Sequence, residues 1–160
     1  METTGAISAN STAPVFATSE VQIAAPIEIV WTLISQIDEW PKWNAYVTED
    51  SLQGELAPGA TFRWKAGPGT IVWTLQRVEQ PHSIAWTGRS LGVRAIHEWN
   101  LRAERGATVV TTRESWDGMV VRLFRRSSRR ALEKALRDGP SHLKAAAEGT
   151  KHKETEDRAS

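Results

Sequence analysis

The chain contains no cysteine, which excludes disulfide bonds, thiolate nucleophiles and zinc–thiolate sites. Its formal net charge is only +1, so the protein as a whole creates no long-range field that would recruit nucleic acid or an anionic membrane. No apolar stretch approaches the roughly 18 residues of a membrane-spanning helix, and the N-terminus lacks the basic start and apolar run of a secretory signal. These absences predict a soluble, cytoplasmic protein with no nucleic-acid partner and no membrane insertion.

Motifs for metal and phosphate binding are missing as well. His82, His142 and His152 are scattered, and none has a metal-ligand spacing to another histidine or a carboxylate. Gly67-Pro68-Gly69 predicts a turn rather than a phosphate loop, because no Lys-Ser/Thr pair follows it. We therefore expect no metal site and no cofactor.

Tryptophan is the residue type in excess. The chain has eight tryptophans against one tyrosine and three phenylalanines. Each indole is large and carries one N–H that requires a partner when it is buried. At 160 residues the chain is a single domain by size, so eight tryptophans imply either a bulky core or a lined cavity. The core is the default interpretation before any fold is considered.

The predicted elements follow an uncommon order: one strand, two short helices, six strands and one long helix. Residues 15–24 alternate weakly, which predicts a strand. Pro26 starts a helix with an apolar stripe, and a second short helix runs into Trp40-Pro41-Lys42-Trp43. Short runs between Gly and Pro breakers then predict an antiparallel meander that the first strand joins as a seventh. The six runs are 47–53, 61–65, 70–78, 83–88, 93–103 and 108–116.

A helical pattern runs from Met119 to about Glu148, and Gly139-Pro140 should kink or break it near Asp138. Its opposite face carries six arginines and is interpreted as solvated. Residues 1–14 and 149–160 are unpatterned, which predicts two disordered tails around a domain at 15–148. The inward face of the helix is expected to hold Val120, Phe124, Ser128, Ala131 or Leu132, Ala135 and Leu143.

Two adjacent strands allow side chains to be placed. Arg105-Gly106 predicts a two-residue hairpin turn, and counting back from it sets the register. One face, which should point towards the helix, pairs Leu101 with Val110, Trp99 with Thr112, and His97 with Glu114. The other face, which should point to solvent, pairs Arg102 with Val109, Asn100 with Thr111, and Glu98 with Arg113. His97 and Glu114 should therefore lie side by side, within direct or water-bridged hydrogen-bonding reach.

Several short motifs carry a resemblance to a known family. They are Ile23-Ala24-Ala25-Pro26, Trp40-Pro41-Lys42-Trp43-Asn44, Ile84-Ala85-Trp86 and His97-Glu98-Trp99. Over residues 15–148 the chain resembles the START-like (SRPBCC) superfamily, and within it the polyketide cyclase/dehydrase-like branch. The resemblance implies an α+β helix-grip fold, in which a curved seven-stranded antiparallel sheet wraps around the C-terminal helix and encloses a hydrophobic ligand cavity.

The resemblance shifts the interpretation of the tryptophans towards a lined cavity. The expected lining residues are Trp31, Trp64, Trp73, Trp86, Trp99, Trp116 and Phe124, with Thr112 and the His97–Glu114 pair as polar groups. Ser128, Ala131 and Ala135 would leave room for a ligand, because their small side chains fill little of the space between the helix and the sheet. Few polar groups among apolar walls are typical of small-molecule sites.

Three interpretations of the His97–Glu114 pair stay open: a brace for the sheet, an anchor for a ligand hydroxyl or carbonyl, or a general acid/base pair. We therefore hold two functional hypotheses. The protein binds a hydrophobic, aromatic or polycyclic small molecule for transport, sequestration or self-protection against a toxic natural product. Alternatively, it is an aromatase/cyclase-type enzyme in which His97 and Glu114 act on a polyketide chain. The sequence leaves the oligomeric state open.

Overall fold

The computed structural model describes residues 7–66 and 69–159, so the predicted turn at Gly67-Pro68 lies outside the described residues. The helices are α1 (Ile27–Ser35), a 3₁₀ helix (Ile37–Lys42), α2 (Met119–Leu123) and α3 (Arg125–Ala159). The strands are β1 (Val15–Ile23), β2 (Glu49–Gln53), β3 (Thr61–Ala66), β4 (Gly69–Glu79), β5 (Ser83–Ser90), β6 (Val93–Glu104) and β7 (Ala107–Asp117).

The seven strands form one antiparallel sheet in the order β1-β7-β6-β5-β4-β3-β2. This order confirms the predicted meander with the first strand as the seventh member. The tight turn between β6 and β7 has positive φ at both central residues, 51° at Arg105 and 80° at Gly106. That geometry is required of a two-residue turn whose twist matches the flanking strands. The sheet, with the long helix packed on β1 and β7, is the predicted α+β helix-grip architecture.

The predicted register of β6 and β7 is confirmed. His97 lies opposite Glu114, Trp99 opposite Thr112, and Leu101 opposite Val110. Trp99, Leu101 and Val110 belong to the main hydrophobic core. This face of the sheet therefore points inward, towards α1 and α3.

The outer face is less exposed than the sequence predicts. The expectation that Glu98 faces solvent is wrong, because Glu98 is only 2% exposed. It accepts hydrogen bonds from Arg77 and from Ser8 Oγ, each at 3.2 Å, and lies 3.7 Å from Arg113 Nη1. A charged residue is buried on this face because it has charged partners and a cover of polypeptide.

The cover is the segment 7–14, which was predicted as part of a disordered tail. The carbonyl oxygen of Ile7 accepts a 2.8 Å hydrogen bond from Arg77, and the N–H of Asn10 donates to Ser115 Oγ at 3.0 Å. The tail prediction is therefore wrong for residues 7–14, whereas residues 1–6 lie outside the described part of the chain. Sequence periodicity missed the segment because single polar contacts, rather than an apolar stripe, hold it on the sheet.

The C-terminal helix differs from the prediction in its phase. Phe124 has non-helical angles, φ −111° and ψ 38°, and separates α2 from α3. The inward stripe of α3 runs through Leu132 and Leu136, so Ala131 and Ala135 are exposed rather than inward-facing, as is Phe124 at the break. The residues that are buried are Val121, Leu132, Leu136, Gly139, Pro140, Leu143 and Ala147.

Gly139-Pro140 does not break the helix, which continues to Ala159. Leu136 and Leu143, on either side of the proline, are both buried, so packing on the sheet offsets the hydrogen bond that Pro140 cannot donate. The expected helix end near Glu148 is wrong, because residues 149–159 continue α3 as exposed helix. In the described part of the chain, α3 and the other helices all lack the combination of length and apolar character needed to cross a bilayer.

Candidate functional site

The space between the sheet and the helices is divided into two unequal parts. The larger part, here the mouth cavity, has a volume of about 300 Å³ and lies where β4 to β7 face α2 and the start of α3. The smaller part, here the inner void, has a volume of only about 20 Å³. The single large cavity expected from the family resemblance is therefore mostly filled by side chains.

The mouth cavity is apolar except at one wall. Trp73 and Trp116 supply its aromatic surfaces, and Ser128 reaches it from α3. Gly88 lies beneath Trp73, and a Cβ at this position would come within 2.5 Å of the indole ring. A side chain at position 88 would therefore displace Trp73. Of the lining residues that the structure describes, Glu114 is the one with an ionisable side chain.

Exposed apolar residues surround the opening. Leu91 is 88% exposed and Val120 is 44% exposed, and both line the mouth cavity. Met119, Leu123 and Phe124 are exposed nearby on and after α2. The predicted lining residue Phe124 thus lies outside the cavity, as do Ala131 and Ala135 on the exposed side of α3.

The inner void is enclosed by aromatic residues that pack on one another. The ring centroid of Trp40 lies 5.3 Å from Trp86 and 5.7 Å from Trp64. The residues around the void are Ile34, Trp40, Trp43, Asn44, Trp64, Trp86, His97 and Trp99. Of the predicted lining residues, Trp64, Trp86 and Trp99 therefore border the void, whereas Trp31 is a core residue that touches neither space.

Many of these indoles have no hydrogen-bond partner. The Nε1 atoms of Trp43, Trp64, Trp73, Trp86 and Trp99 are buried and unpartnered. By contrast, Trp40 Nε1 donates to the carbonyl oxygen of Ile34 at 3.0 Å, and Trp116 Nε1 donates to Glu114 Oε1 at 2.7 Å. A buried donor left unpaired costs about 1–3 kcal/mol. Five in one small domain require an explanation.

The predicted proximity of His97 and Glu114 is confirmed. His97 Nδ1 lies 3.4 Å from Glu114 Oε2, although the two atoms do not form a hydrogen bond. His97 Nε2 lies 2.8 Å from Thr112 Oγ1, which itself lies 3.2 Å from the carbonyl oxygen of Glu98. If the hydroxyl donates its single proton to that carbonyl, it accepts from Nε2–H. Nδ1 is then left with a lone pair that faces Glu114.

Burial controls the protonation of this pair. Desolvation lowers the pKa of His97 from 6.5 to about 3, so the imidazole is neutral at pH 7. Desolvation also raises the pKa of Glu114 from 4.5 to about 7, and the hydrogen bond from Trp116 opposes this rise only in part. A protonated Glu114 can donate to the Nδ1 lone pair, whereas an ionised Glu114 would face it with no proton between them.

Comparison with known proteins agrees with this architecture. Residues 15–148 match the family described as polyketide cyclase/dehydrase and lipid transport. The chain belongs to this family. No curated protein matches the chain significantly.

Several solved structures share the fold at low sequence identity. A hypothetical protein, jhp0584, from Helicobacter pylori superposes with a TM-score of 0.76 at 15% identity, covering 86% of this chain and 90% of its own. A START superfamily protein from Mycobacterium smegmatis has a TM-score of 0.63 at 12% identity, with coverages of 84% and 95%.

A third similar structure is the di-domain ARO/CYC BexL from the BE-7585A biosynthetic pathway, with a TM-score of 0.67 at 20% identity. The superposition covers 83% of this chain but only 50% of BexL. At these identities the likeness establishes the fold alone.

The fold of this polyketide cyclase/dehydrase and lipid transport family member brings several residues to the cavity that sequence reasoning missed. Gly88 and Ala95 lie two residues along β5 and β6 from Trp86 and His97, so strand alternation contained the signal that places them on the inner face. Val121 was missed because its apolar neighbour Val120 was assigned to the inward face, whereas Val121 is the buried residue of the two.

Proposed function

We propose that this protein binds a compact hydrophobic molecule, aromatic or polycyclic, in the mouth cavity and acts as a carrier, sequestration or self-protection protein. The observation that carries the proposal is an apolar cavity of about 300 Å³ with one ionisable wall residue and an exposed apolar rim. This volume is at the lower end of the range for small-molecule sites. It suits a few fused rings better than a long acyl chain.

The lining supports an aromatic ligand in particular. Trp73 and Trp116 present ring surfaces to the cavity, and offset or edge-to-face stacking adds about 0.5–1.5 kcal/mol per aromatic pair beyond area burial. Leu91 and Val120 at the rim provide an apolar path by which such a ligand reaches the cavity from water.

Equilibrium dialysis against fluorene, a three-ring hydrocarbon, tests the proposal. We expect wild-type protein to bind it with a dissociation constant in the micromolar range. Ser128→Trp should weaken binding at least about tenfold, because the new ring occupies the cavity at a half-buried position of α3. The matched control is Ala131→Trp, three residues further along α3 and exposed, which should leave affinity unchanged. Equal loss in both variants, or no binding by the wild type, contradicts the proposal.

A second candidate function is supported by the state of Glu114. A carboxyl group with a pKa of about 7 on the wall of an apolar cavity is protonated often enough to act as a general acid at neutral pH. An aromatase/cyclase-type role would use this proton on a carbonyl or hydroxyl oxygen of a polyketide chain, with His97 as the group that positions Glu114.

The two candidates are separated by turnover. Incubation with an aromatic β-hydroxyketone, followed by mass spectrometry for loss of water, should give product only if the protein is an enzyme. Glu114→Gln should then abolish product formation while ligand binding persists, and the wild-type rate should fall as pH rises through about 7. Binding without any loss of water favours the carrier.

A further inference from the structure

We infer that the inner void is a hydrogen-bond-donor subsite, in which unpartnered tryptophan N–H groups recognise carbonyl oxygens of a ligand whose rings fill the mouth cavity. The inference rests on the proposed binding function and names the ligand class as neutral polycyclic ketones or quinones. Hydrocarbons of the same shape would fill the cavity without using the donors.

The donors share one location. Trp43, Trp64, Trp86 and Trp99 all border the inner void, and the Nε1 atom of each is buried without a partner. The fifth tryptophan around the void, Trp40, has its N–H paired with the carbonyl oxygen of Ile34. The fold is thus able to satisfy an indole N–H here, which makes four unpaired ones at the same place a specific feature.

Acceptors are scarce in the same lining. The amide oxygen of Asn44 already accepts from the N–H of Tyr46 at 3.1 Å. The remaining side-chain acceptor around the void is His97 Nδ1. Four unpartnered donors and so few acceptors around one void favour a group that accepts hydrogen bonds and brings few protons of its own.

The size of the void limits what water can do. About 20 Å³ is room for roughly one water molecule. A single water accepts two hydrogen bonds, so it would leave two of the four indoles unpaired and would bring two protons that need acceptors. A ligand carbonyl oxygen of similar size accepts the same two hydrogen bonds and brings no protons that need acceptors.

Charge argues for a neutral ligand. Among the described residues, the lining of the void contains no lysine or arginine, and burial keeps His97 neutral, with its pKa lowered to about 3. An anion here would be buried without a counter-ion, at a large desolvation cost. A carbonyl oxygen gains the same donors without that cost.

The mouth cavity and the inner void are neighbours along strands β5 and β6. Gly88 and Ala95 border the mouth cavity, and Trp86 and His97, two residues further along β5 and β6, border the inner void. Two residues of strand span about 7 Å. Trp73 lies in the cavity wall and contributes a fifth unpartnered N–H there. A ring system in the cavity can therefore direct an oxygen towards the void past Glu114.

A matched pair of probes tests the inference. Fluorene and 9-fluorenone share one three-ring skeleton, and only fluorenone carries a carbonyl oxygen. In equilibrium dialysis we expect fluorenone to bind at least about tenfold more tightly than fluorene. Trp86→Phe and Trp99→Phe should reduce this preference, because each removes one N–H donor. Trp31→Phe, a core substitution away from the void, should leave it unchanged.

Infrared spectroscopy of fluorenone bound to wild-type protein provides a readout that no folding defect can disturb. Hydrogen bonds from indoles should lower the carbonyl stretching frequency relative to fluorenone in hexane. Equal affinities for the two probes, or an unshifted carbonyl band, overturn the inference and leave the proposed binding function intact. If neither probe binds, the binding function and the inference both fail.

Discussion

Two buried glutamates on neighbouring strands show how differently the two faces of the sheet are built. Glu98 on β6 is 2% exposed and faces outward, and Glu114 on β7 is 7% exposed and faces inward. Glu98 has two arginines as partners, Arg77 and Arg113. Glu114 has only the indole of Trp116 and the neutral ring of His97. The partners, rather than the extent of burial, distinguish the two carboxyl groups, because charged side chains surround Glu98 whereas neutral groups surround Glu114.

Neutralising the outer glutamate should have the largest effect on stability. Glu98→Gln should lower the free energy of unfolding by about 3 kcal/mol, because it leaves the largely buried Arg77 without its counter-ion. Urea denaturation at pH 7 measures the change. Glu79→Gln, at an exposed position of β4, is the control and should stay within about 0.5 kcal/mol of the wild type. A loss at Glu98 no larger than at Glu79 would mean that the outer ion pairs do not stabilise the fold.

Neutralising the inner glutamate should stabilise the protein instead, at a pH where the wild-type carboxyl group is ionised. The pKa of Glu114 is raised to about 7 in the folded protein, so the wild type loses stability as pH rises from about 4.5 through 7. Glu114→Gln lacks this loss and should be more stable than the wild type by about 2–3 kcal/mol at pH 8. Denaturation curves at pH 4.5 and pH 8 measure the difference, which should nearly vanish at the lower pH. A variant that is less stable at pH 8 contradicts the role of burial.

The histidine beside Glu114 contributes a separate pH dependence. Burial lowers the pKa of His97 to about 3, so the unfolded chain binds a proton below pH 6.5 that the folded protein does not. In the Glu114→Gln background, the free energy of unfolding should therefore fall by roughly 2 kcal/mol more between pH 6.5 and pH 5 than it does with His97→Phe added. Equal slopes in the two variants would show that His97 is protonated inside the fold.

The smallest expected effect concerns the second arginine of the outer group. Arg113 is 49% exposed at its side chain and lies 3.7 Å from Glu98, so solvent weakens the ion pair. Arg113→Ala should lower the free energy of unfolding by less than about 1 kcal/mol. Urea denaturation of both variants measures the two losses in the free energy of unfolding. If Arg113→Ala loses as much as Glu98→Gln, Arg113 rather than Arg77 is the main stabilising partner of Glu98.

Local rules accounted for the inner face of the sheet. The Arg105-Gly106 turn sets the register of β6 and β7, and a side-chain period of two then places His97 opposite Glu114. The same rules could not assign a role to the tryptophans. Whether an indole lines a cavity or fills it depends on how neighbouring rings pack, as the Trp40 contacts with Trp64 and Trp86 show.

Two features depended on information that periodicity does not carry. The buried stripe of α3 passes through Leu132 and Leu136 rather than Ala131 and Ala135, and only the packing of these leucines on the sheet fixes that phase. The cover over Glu98 depends on single hydrogen bonds from residues 7–14, which leave no repeating pattern in the sequence. Both errors concern tertiary contacts, against which local propensity is a weak guide.

The segment 7–14 also has a consequence for the order of folding. Its contacts join residues far apart in the chain: Ser8 with Glu98 across 90 positions, and Asn10 with Ser115 across 105. The pairing of β1 with β7 closes a loop of similar length. Such contacts are entropically expensive to form early, so we expect the two ends of the chain to join after the local hairpins. Because Glu114 and Trp116 lie on β7, the mouth cavity is completed only when the beginning of the chain has docked against its end.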